Sequence, residues 1–465
     1  MKLLISAHHF RPPFIGGVDV YADRLGRSLQ RLGQQIAYLA VDGSAEGPED
    51  EIRLYEDKTN NRKIWRLDFQ FASRSEDAFA LGYDEKMVRW VRKALEAEKP
   101  DIFVITNFYM LTMAAVEAAD ALGIPVVHVA TDFLPVCRRA TLIRGSGENC
   151  ETGESIKECA SCFLSRRLTG RLTVQLMNTL PTNTVTSLAG RGLNADGINP
   201  LRLVRPYWRQ VDLMSRRLAL LQPLREKVRV VFAPTRFTAD SFIANGFPQD
   251  RVHIEPFGVE PDNALSRVSH EAADHVRFLA IARFQPYKGL HLLVEAFNRL
   301  EQPRGATLTI YGDSHGYDEY ARQLRAAAAG NERIRFEGIV SPTELADVFA
   351  KADTFVLPST WHENSPLIVL DALQSGTPLI ASDIGGVRDL VHHDENGWLF
   401  PMGDADALHG LIRQAIEKPS RLHALRGRSD LQTIDGYSQR LLALSGQQVS
   451  MARQAVSGIQ GVTDH

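Results

Sequence analysis

Two cations five residues apart, Arg283 and Lys288, flank a proline turn in the run Arg283-Phe284-Gln285-Pro286-Tyr287-Lys288-Gly289. Arg offers a bidentate fork and Lys a point charge, so the pair can grip a diphosphate from two sides. A solvated basic loop is the plainer alternative. A second loop reads Trp361-His362-Glu363-Asn364-Ser365-Pro366-Leu367, and Asp371 stands eight residues after Glu363. Ser365 suits an N-cap, Pro366 the first helical position and Gly376 a left-handed C-terminal cap. On 3.6-residue geometry the second acid is rotated by about 80° from the first, so both can reach toward one ligand. A local salt bridge on a solvated face is the other reading of Asp371. Gly16-Gly17 and Gly385-Gly386 each stand between a strand pattern and a helical one. Glycines there let backbone amides approach an anion at a helix start, although a plain turn or close packing also asks for them.

Such loops need elements to hold them. Short β-branched runs alternate with amphipathic segments along most of the chain. Strands are expected at 2–7, 35–41, 101–106, 124–130, 228–233, 252–257, 277–282, 307–311, 354–357 and 378–382. Helices are expected at 18–32, 86–97, 109–121, 290–300 and 366–374. Several strands are apolar on both faces, as buried parallel strands are. The alternation breaks over about 137–227, an Arg-rich stretch without strand patterning, and it restarts after a boundary near Gly258 to Asp262. The chain reads as two doubly wound α/β domains, 1–260 and 261–425, with the insertion at 137–227 in the first. The tail, 426–465, is polar and weakly helical. A ligand then binds between the domains, beyond the carboxyl ends of the strands, where the loops above lie.

Composition excludes several classes. Of 465 residues, 44% are hydrophobic and 23% charged, which fits a folded globular chain and not a disordered or fibrous one. A net charge of -3 gives no electrostatic reason to expect nucleic acid. Met1 to His9 holds too short an apolar run for a signal peptide. No stretch approaches the roughly 18 apolar residues of a membrane span. A cytoplasmic protein is expected.

Taken together the loops resemble glycosyltransferase family 4. The resemblance rests on Arg283 with Lys288-Gly289, on Glu363-Asn364-Ser365-Pro366-Leu367 through Asp371-Ala372, and on Gly376-Thr377-Pro378 to Gly385-Gly386. Asn396-Gly397 and the opening Pro12 to Gly17 add to it. It implies a GT-B fold, with two Rossmann-like domains facing a central cleft, and sugar transfer from a nucleotide-diphosphate donor with retention of anomeric configuration. The acceptor would be a saccharide or a lipid-linked molecule, as in cell-surface polysaccharide or glycolipid synthesis. Other GT-B chemistry, such as a phosphorylase or epimerase, and a non-catalytic nucleotide-sugar-binding protein are the alternatives.

The same resemblance assigns roles by position. Arg283 and Lys288 neutralise the departing pyrophosphate, and Glu363 holds donor-sugar hydroxyls near the reacting carbon. Gly16 and Gly17 present amides to the diphosphate. Amides of Asn364, Ser365, Pro366 and Leu367 line the donor sugar, with Pro366 contributing only its place in the loop. Asp371 stands where the family has a Glu on the ribose, and Ile339 lies near the base. Thr131 and Asp132 fall where the family has an acceptor-side His-Asp pair. Either Thr131 replaces that His, or His128 does nothing there and is a strand residue, which is the reading adopted. No catalytic metal is then needed, and Asp404-Ala405-Asp406 reads as a helix start and not as a metal-binding pair.

All four cysteines fall in one short span, Cys137, Cys150, Cys159 and Cys162, and end in a C-x2-C. That spacing suits a structural zinc site with four thiolate ligands, beside the acceptor side of the cleft. Disulfides, free buried thiols and an iron–sulfur cluster are the alternatives. The arginines that follow, among them Arg166, Arg167, Arg202, Arg205, Arg209, Arg216 and Arg217, are either a solvated helix face or a surface for anionic lipid, which would put the protein peripherally on the inner membrane face.

Overall fold

The computed structural model describes residues 1–10, 16–43, 51–57, 62–69, 77–151, 153–163, 175–177, 179–193, 204–261, 264–268, 275–301, 305–314, 316–425 and 430–460. The first sheet holds β1 (Lys2–Ala7), β2 (Gln35–Gly43), β3 (Glu51–Asp57), β4 (Arg62–Phe69), β5 (Ile102–Ile105), β6 (Val126–Val129), β7 (Val228–Ala233) and β8 (Val252–Ile254), in the order β3-β4-β2-β1-β5-β6-β7-β8. Only the β3–β4 pair is antiparallel among these. The second sheet is parallel throughout, with β9 (Val276–Ile281), β10 (Ala306–Tyr311), β11 (Ile334–Glu337), β12 (Thr354–Leu357), β13 (Leu379–Ser382) and β14 (Gly397–Phe400) in the order β11-β10-β9-β12-β13-β14. Central strands β1, β5, β6 and β12 are buried along almost their whole length. Helices on both faces exclude water from them, as their continuous apolar composition requires.

The first domain does not end at the boundary near residue 260. The chain leaves it beside Val259 and re-enters beside Thr433, and these two positions form a parallel bridge. Gly258 sits at this double crossing, where a Cβ would lie 2.5 Å from the Ile434 Cα, so only glycine lets the strands pass. The tail, read as polar and weakly helical, forms the long helix Ile434–Gln460. Its Tyr437 is fully buried against Tyr21 and Phe232 of the first domain, and Ser28 and Arg31 bond Asp435. The last helix therefore locks the second domain onto the first.

The insertion is helical, as the lack of strand patterning implied. Helices Ile156–Cys162, Thr182–Leu193 and Arg205–Lys227 share a small core of Ala160, Val185, Ala189, Trp208 and Val211. Among the described arginines of the insertion, Arg205, Arg209 and Arg216 are exposed, as a solvated face requires, and Arg217 and Arg225 are not. Arg217 is fully buried and Arg225 almost so, both on Glu154, while Arg209 and Arg216 stand near Asp77. Arg166, Arg167 and Arg202 lie outside the described residues. Among the described residues no helix is long and apolar enough to cross a membrane.

Candidate active site

Lys288 and Glu363 come from loops after β9 and β12, which are adjacent in the second sheet. The Lys288 Nζ stands 2.7 Å from the Glu363 Oε1, and the Ser359 hydroxyl donates to the same oxygen at 2.7 Å. Trp361 roofs the pair, with the Lys288 Nζ 4.8 Å from its ring centroid. Glu363 is 5% exposed, so the acid is held in a largely water-free corner with its charge matched. Arg283 is exposed at the mouth and makes no ion pair among the described residues. Burial pushes the Tyr287 phenol up to about 12, and its ring packs 4.7 Å from Trp361.

The loop carrying Glu363 also holds an unusual set of polar atoms. Trp361 Nε1, His362 Nδ1 and Ser365 Oγ are buried without a hydrogen-bond partner among the described residues. Buried polar groups are nearly always satisfied, and such a concentration in five residues marks a place where partners arrive from outside the chain. Ser365 therefore does not cap the helix. That helix runs Leu367–Gln374 with Pro366 at its N-cap and no side-chain cap, leaving its first amides open. The helix Gly17–Arg31 starts opposite it, where a Cβ on Gly17 would lie 3.7 Å from the Leu367 Cδ1. Two helix N-termini and their positive dipole ends thus meet across the cleft. Residues 11–15, with Pro12 among them, are outside the described set.

The other expected site residues lie as follows. Asp371 is buried, and its Oδ1 is 3.3 Å from the Arg24 Nη2 of the first domain. Burial pushes its carboxyl up while Arg24 pulls it down. It serves as an interdomain tether here, neither solvated nor turned to Glu363. Gly385-Gly386 supplies close packing. The Gly386 amide donates to the Glu363 carbonyl at 2.9 Å, and a Cβ there would fall 1.7 Å from the Asn364 carbonyl oxygen. Ile339 is 49% exposed beyond β11, at the sheet edge. Thr131 donates to the Thr106 carbonyl, and Asp132 accepts from the Phe108 and Leu134 amides at 2.7 Å each. Burial raises the Asp132 carboxyl to about 6 against those hydrogen bonds. His128 lies within β6, buried between Phe108 and Phe242. Asp404 caps the helix Ala405–Glu417 through the Ala407 amide, as a helix-start acid does.

Among the described residues no three His, Cys, Asp or Glu side chains are grouped to hold a metal. Cys137, Cys150, Cys159 and Cys162 are all described; none is in a disulfide and all are half-buried. Burial pushes the Cys137 thiol up and takes Cys159 to about 12, with neighbouring Cys137 and Cys150 among the groups that raise Cys159. A cavity of about 980 Å³ lined by His275, Asn298, Gly305 and Arg333 opens at the amino ends of β9, β10 and β11. That is the wrong end of a parallel sheet for a ligand.

Several contributors were invisible in the sequence. Asp19 accepts from the His8 and Phe10 amides and so shapes the loop after β1. His362, Thr238 and Arg24 work across the domain boundary, as the expected Asn364 also does, and no local pattern marks that contact.

Known proteins share these parts. Residues 262–430 match a family model described as glycosyl transferases group 1, and residues 16–149 match one described as glycosyl transferase 4-like domain. The second half of the chain is thus similar to group 1 glycosyl transferases and the first to glycosyl transferase 4-like domains. It is 29% identical over 187 residues to the amylovoran biosynthesis glycosyltransferase AmsK of Erwinia amylovora, a match covering 38% of this chain and 45% of that one. It is 30% identical over 201 residues to a D-inositol 3-phosphate glycosyltransferase of Xylanimonas cellulosilytica, covering 39% and 48%. The chain spans less than half the length of these curated relatives. In fold it is similar to a sucrose-phosphate synthase of Thermosynechococcus elongatus, with TM-score 0.61, 17% identity and coverage of 98% and 99%. HepE of Anabaena in complex with UDP gives TM-score 0.57 at 16% identity, covering 99% and 100%. The fold is GT-B.

Proposed function

We propose that the chain is a retaining glycosyltransferase that moves a sugar from a nucleotide-diphosphate donor to a saccharide or lipid-linked acceptor in cell-surface polysaccharide or glycolipid synthesis. It would work in the cytoplasm, peripheral to the inner membrane face where the acceptor is lipid-linked. The observation that carries this is the partnerless buried Trp361 Nε1 and Ser365 Oγ in the loop of the Lys288–Glu363 pair, between two facing helix N-termini. Sugar hydroxyls satisfy such atoms, and diphosphate oxygens suit the helix ends. As the hydroxyls take Glu363, Lys288 is released toward the phosphates, where Arg283 joins it. Fixed cations and dipoles then stabilise the dianion that leaves as the sugar becomes oxocarbenium-like.

A thermal-shift panel of UDP-, GDP-, ADP- and CMP-sugars identifies the donor by its stabilisation. Lys288→Ala and Glu363→Ala are each expected to slow release of nucleoside diphosphate from that donor by at least about 100-fold. Wild-type turnover in both variants would remove these residues from the reaction. Release that requires an acceptor separates transfer from phosphorolysis and epimerisation.

A further inference from the structure

In the insertion a short hairpin, closed by the Ile143–Asn149 bridge and by the Arg144 amide on the Glu148 carbonyl, reaches over the cleft. Two residues at its end touch the second domain. The Asn149 Nδ2 lies 2.9 Å from the Met402 Sδ, and the Glu151 Oε1 lies 2.8 Å from the His362 Nε2. His362 immediately precedes Glu363. Its ring is stacked on Phe237 of the first domain at 4.5 Å, and its side chain is 8% exposed while that of Glu151 is 72% exposed.

The contacts of residues 362–364 alternate between the two domains. His362 faces the first domain through Glu151 and Phe237. Asn364 does the same, donating to the Ala130 carbonyl at 2.6 Å and accepting from the Thr238 hydroxyl. Glu363, between them, turns to Lys288 and Ser359 of its own domain. The direction of the Glu363 carboxylate is therefore set by what holds its two neighbours, and both neighbours are held by the other domain.

We infer that Glu151 is a positioning residue: the hairpin end grips His362 across the cleft and thereby fixes the register of the loop that aims Glu363 at the donor sugar. The inference rests on the glycosyl-transfer reading for its kinetic consequence but not for its structural one. Glu151 touches no reacting atom in this scheme. It acts as an acceptor for the His362 Nε2–H, a role that a neutral amide oxygen also fills. A side chain without an acceptor leaves His362 anchored by ring stacking alone.

Two measurements on the full chain test this, each with Glu151→Ala, Glu151→Gln and the hairpin control Glu148→Ala. Amide hydrogen exchange without any ligand is expected to quicken about tenfold in peptides covering Thr360–Leu367 and Ile384–Val387 for Glu151→Ala only. Release of nucleoside diphosphate from whichever of UDP-, GDP- or ADP-sugars the wild type turns over is expected to show kcat lowered by roughly tenfold in Glu151→Ala. A misplacement of about 1 Å costs up to about 100-fold, and a water-exposed anchor transmits only part of that. KM for the donor stays within about twofold, and Glu151→Gln recovers most of the loss. Unchanged exchange in Glu151→Ala, or a kcat loss that Glu151→Gln does not relieve, overturns the positioning role. Absence of turnover in the wild type with every donor, alongside the expected exchange change, overturns the catalytic reading and leaves the grip intact.

Discussion

Glu154→Gln should be among the most damaging single-atom-scale changes in the first domain. The Glu154 side chain is 2% exposed, Arg217 is 0% and Arg225 is 2% exposed. One carboxylate oxygen stands 2.5 Å from the Arg217 Nε, and the other takes the Arg225 Nη2. Both guanidiniums also hold backbone, Arg217 on the Leu134 carbonyl and Arg225 on the Pro135 carbonyl, directly beyond the loop after β6. Burial pulls the Arg225 guanidinium below its ordinary value and Glu154 pulls it back. Gln keeps the shape and removes the charge, leaving two buried cations facing one neutral amide. Breaking such a pair from one side costs about 3–5 kcal/mol. With about 2–4 °C per kcal/mol in domains of this size, the first unfolding transition should fall by roughly 10 °C in scanning calorimetry. Replacing all three residues by apolar ones of similar volume should recover only part, because the Leu134 and Pro135 carbonyls then lose their donors at about 1–3 kcal/mol each. A Glu154→Gln protein that melts within about 1 °C of wild type would refute the reasoning, since the triad would then be solvated.

Burial lowers the His128 ring from 6.5 to about 4, against its 2.8 Å bond to the Ile105 carbonyl. Stability held above pH 6.5 is lost as pH falls toward 4, because the unfolded ring takes a proton that the native one refuses. Urea unfolding should show a loss of about 2 kcal/mol from this residue between pH 7 and pH 5, absent in His128→Leu; equal slopes in the two proteins would contradict it. With its thiol pushed to about 12, Cys159 should resist an aromatic disulfide reagent at pH 8 in the native protein and react freely in urea. Metal analysis of freshly purified protein is expected to find stoichiometric zinc on Cys137, Cys150, Cys159 and Cys162, and its absence would remove the zinc reading. Tyr437→Ala should destabilise the first domain by about 3–5 kcal/mol in urea titrations, although it lies in the last helix.

Much of the scaffold was readable because it obeys local rules. Strands β1, β7 and β12 fall where the apolar runs put them, since a strand buried on both faces cannot hide its composition. Strands β3 and β4 escaped because Glu51 to Asp57 and Arg62 to Phe69 carry charges on an edge hairpin, where one face is wet. The buried arginines misled in the opposite way. A run of arginines is read as solvated, and only Glu154, far away in sequence from Arg217 and Arg225, makes their burial tolerable. The residue types at the candidate site were readable one loop at a time, but their pairing was not. Lys288 and Glu363 meet because β9 and β12 are neighbours although β10 and β11 separate them in sequence. Arg24 meets Asp371, and Glu151 meets His362, across the domain boundary, where the last helix also returns to the first domain. Within one loop, side-chain chemistry follows from the local sequence. Which loops face one another is decided by strand order and by how the two domains meet, so the interdomain half of the site had no local pattern from which it could be read.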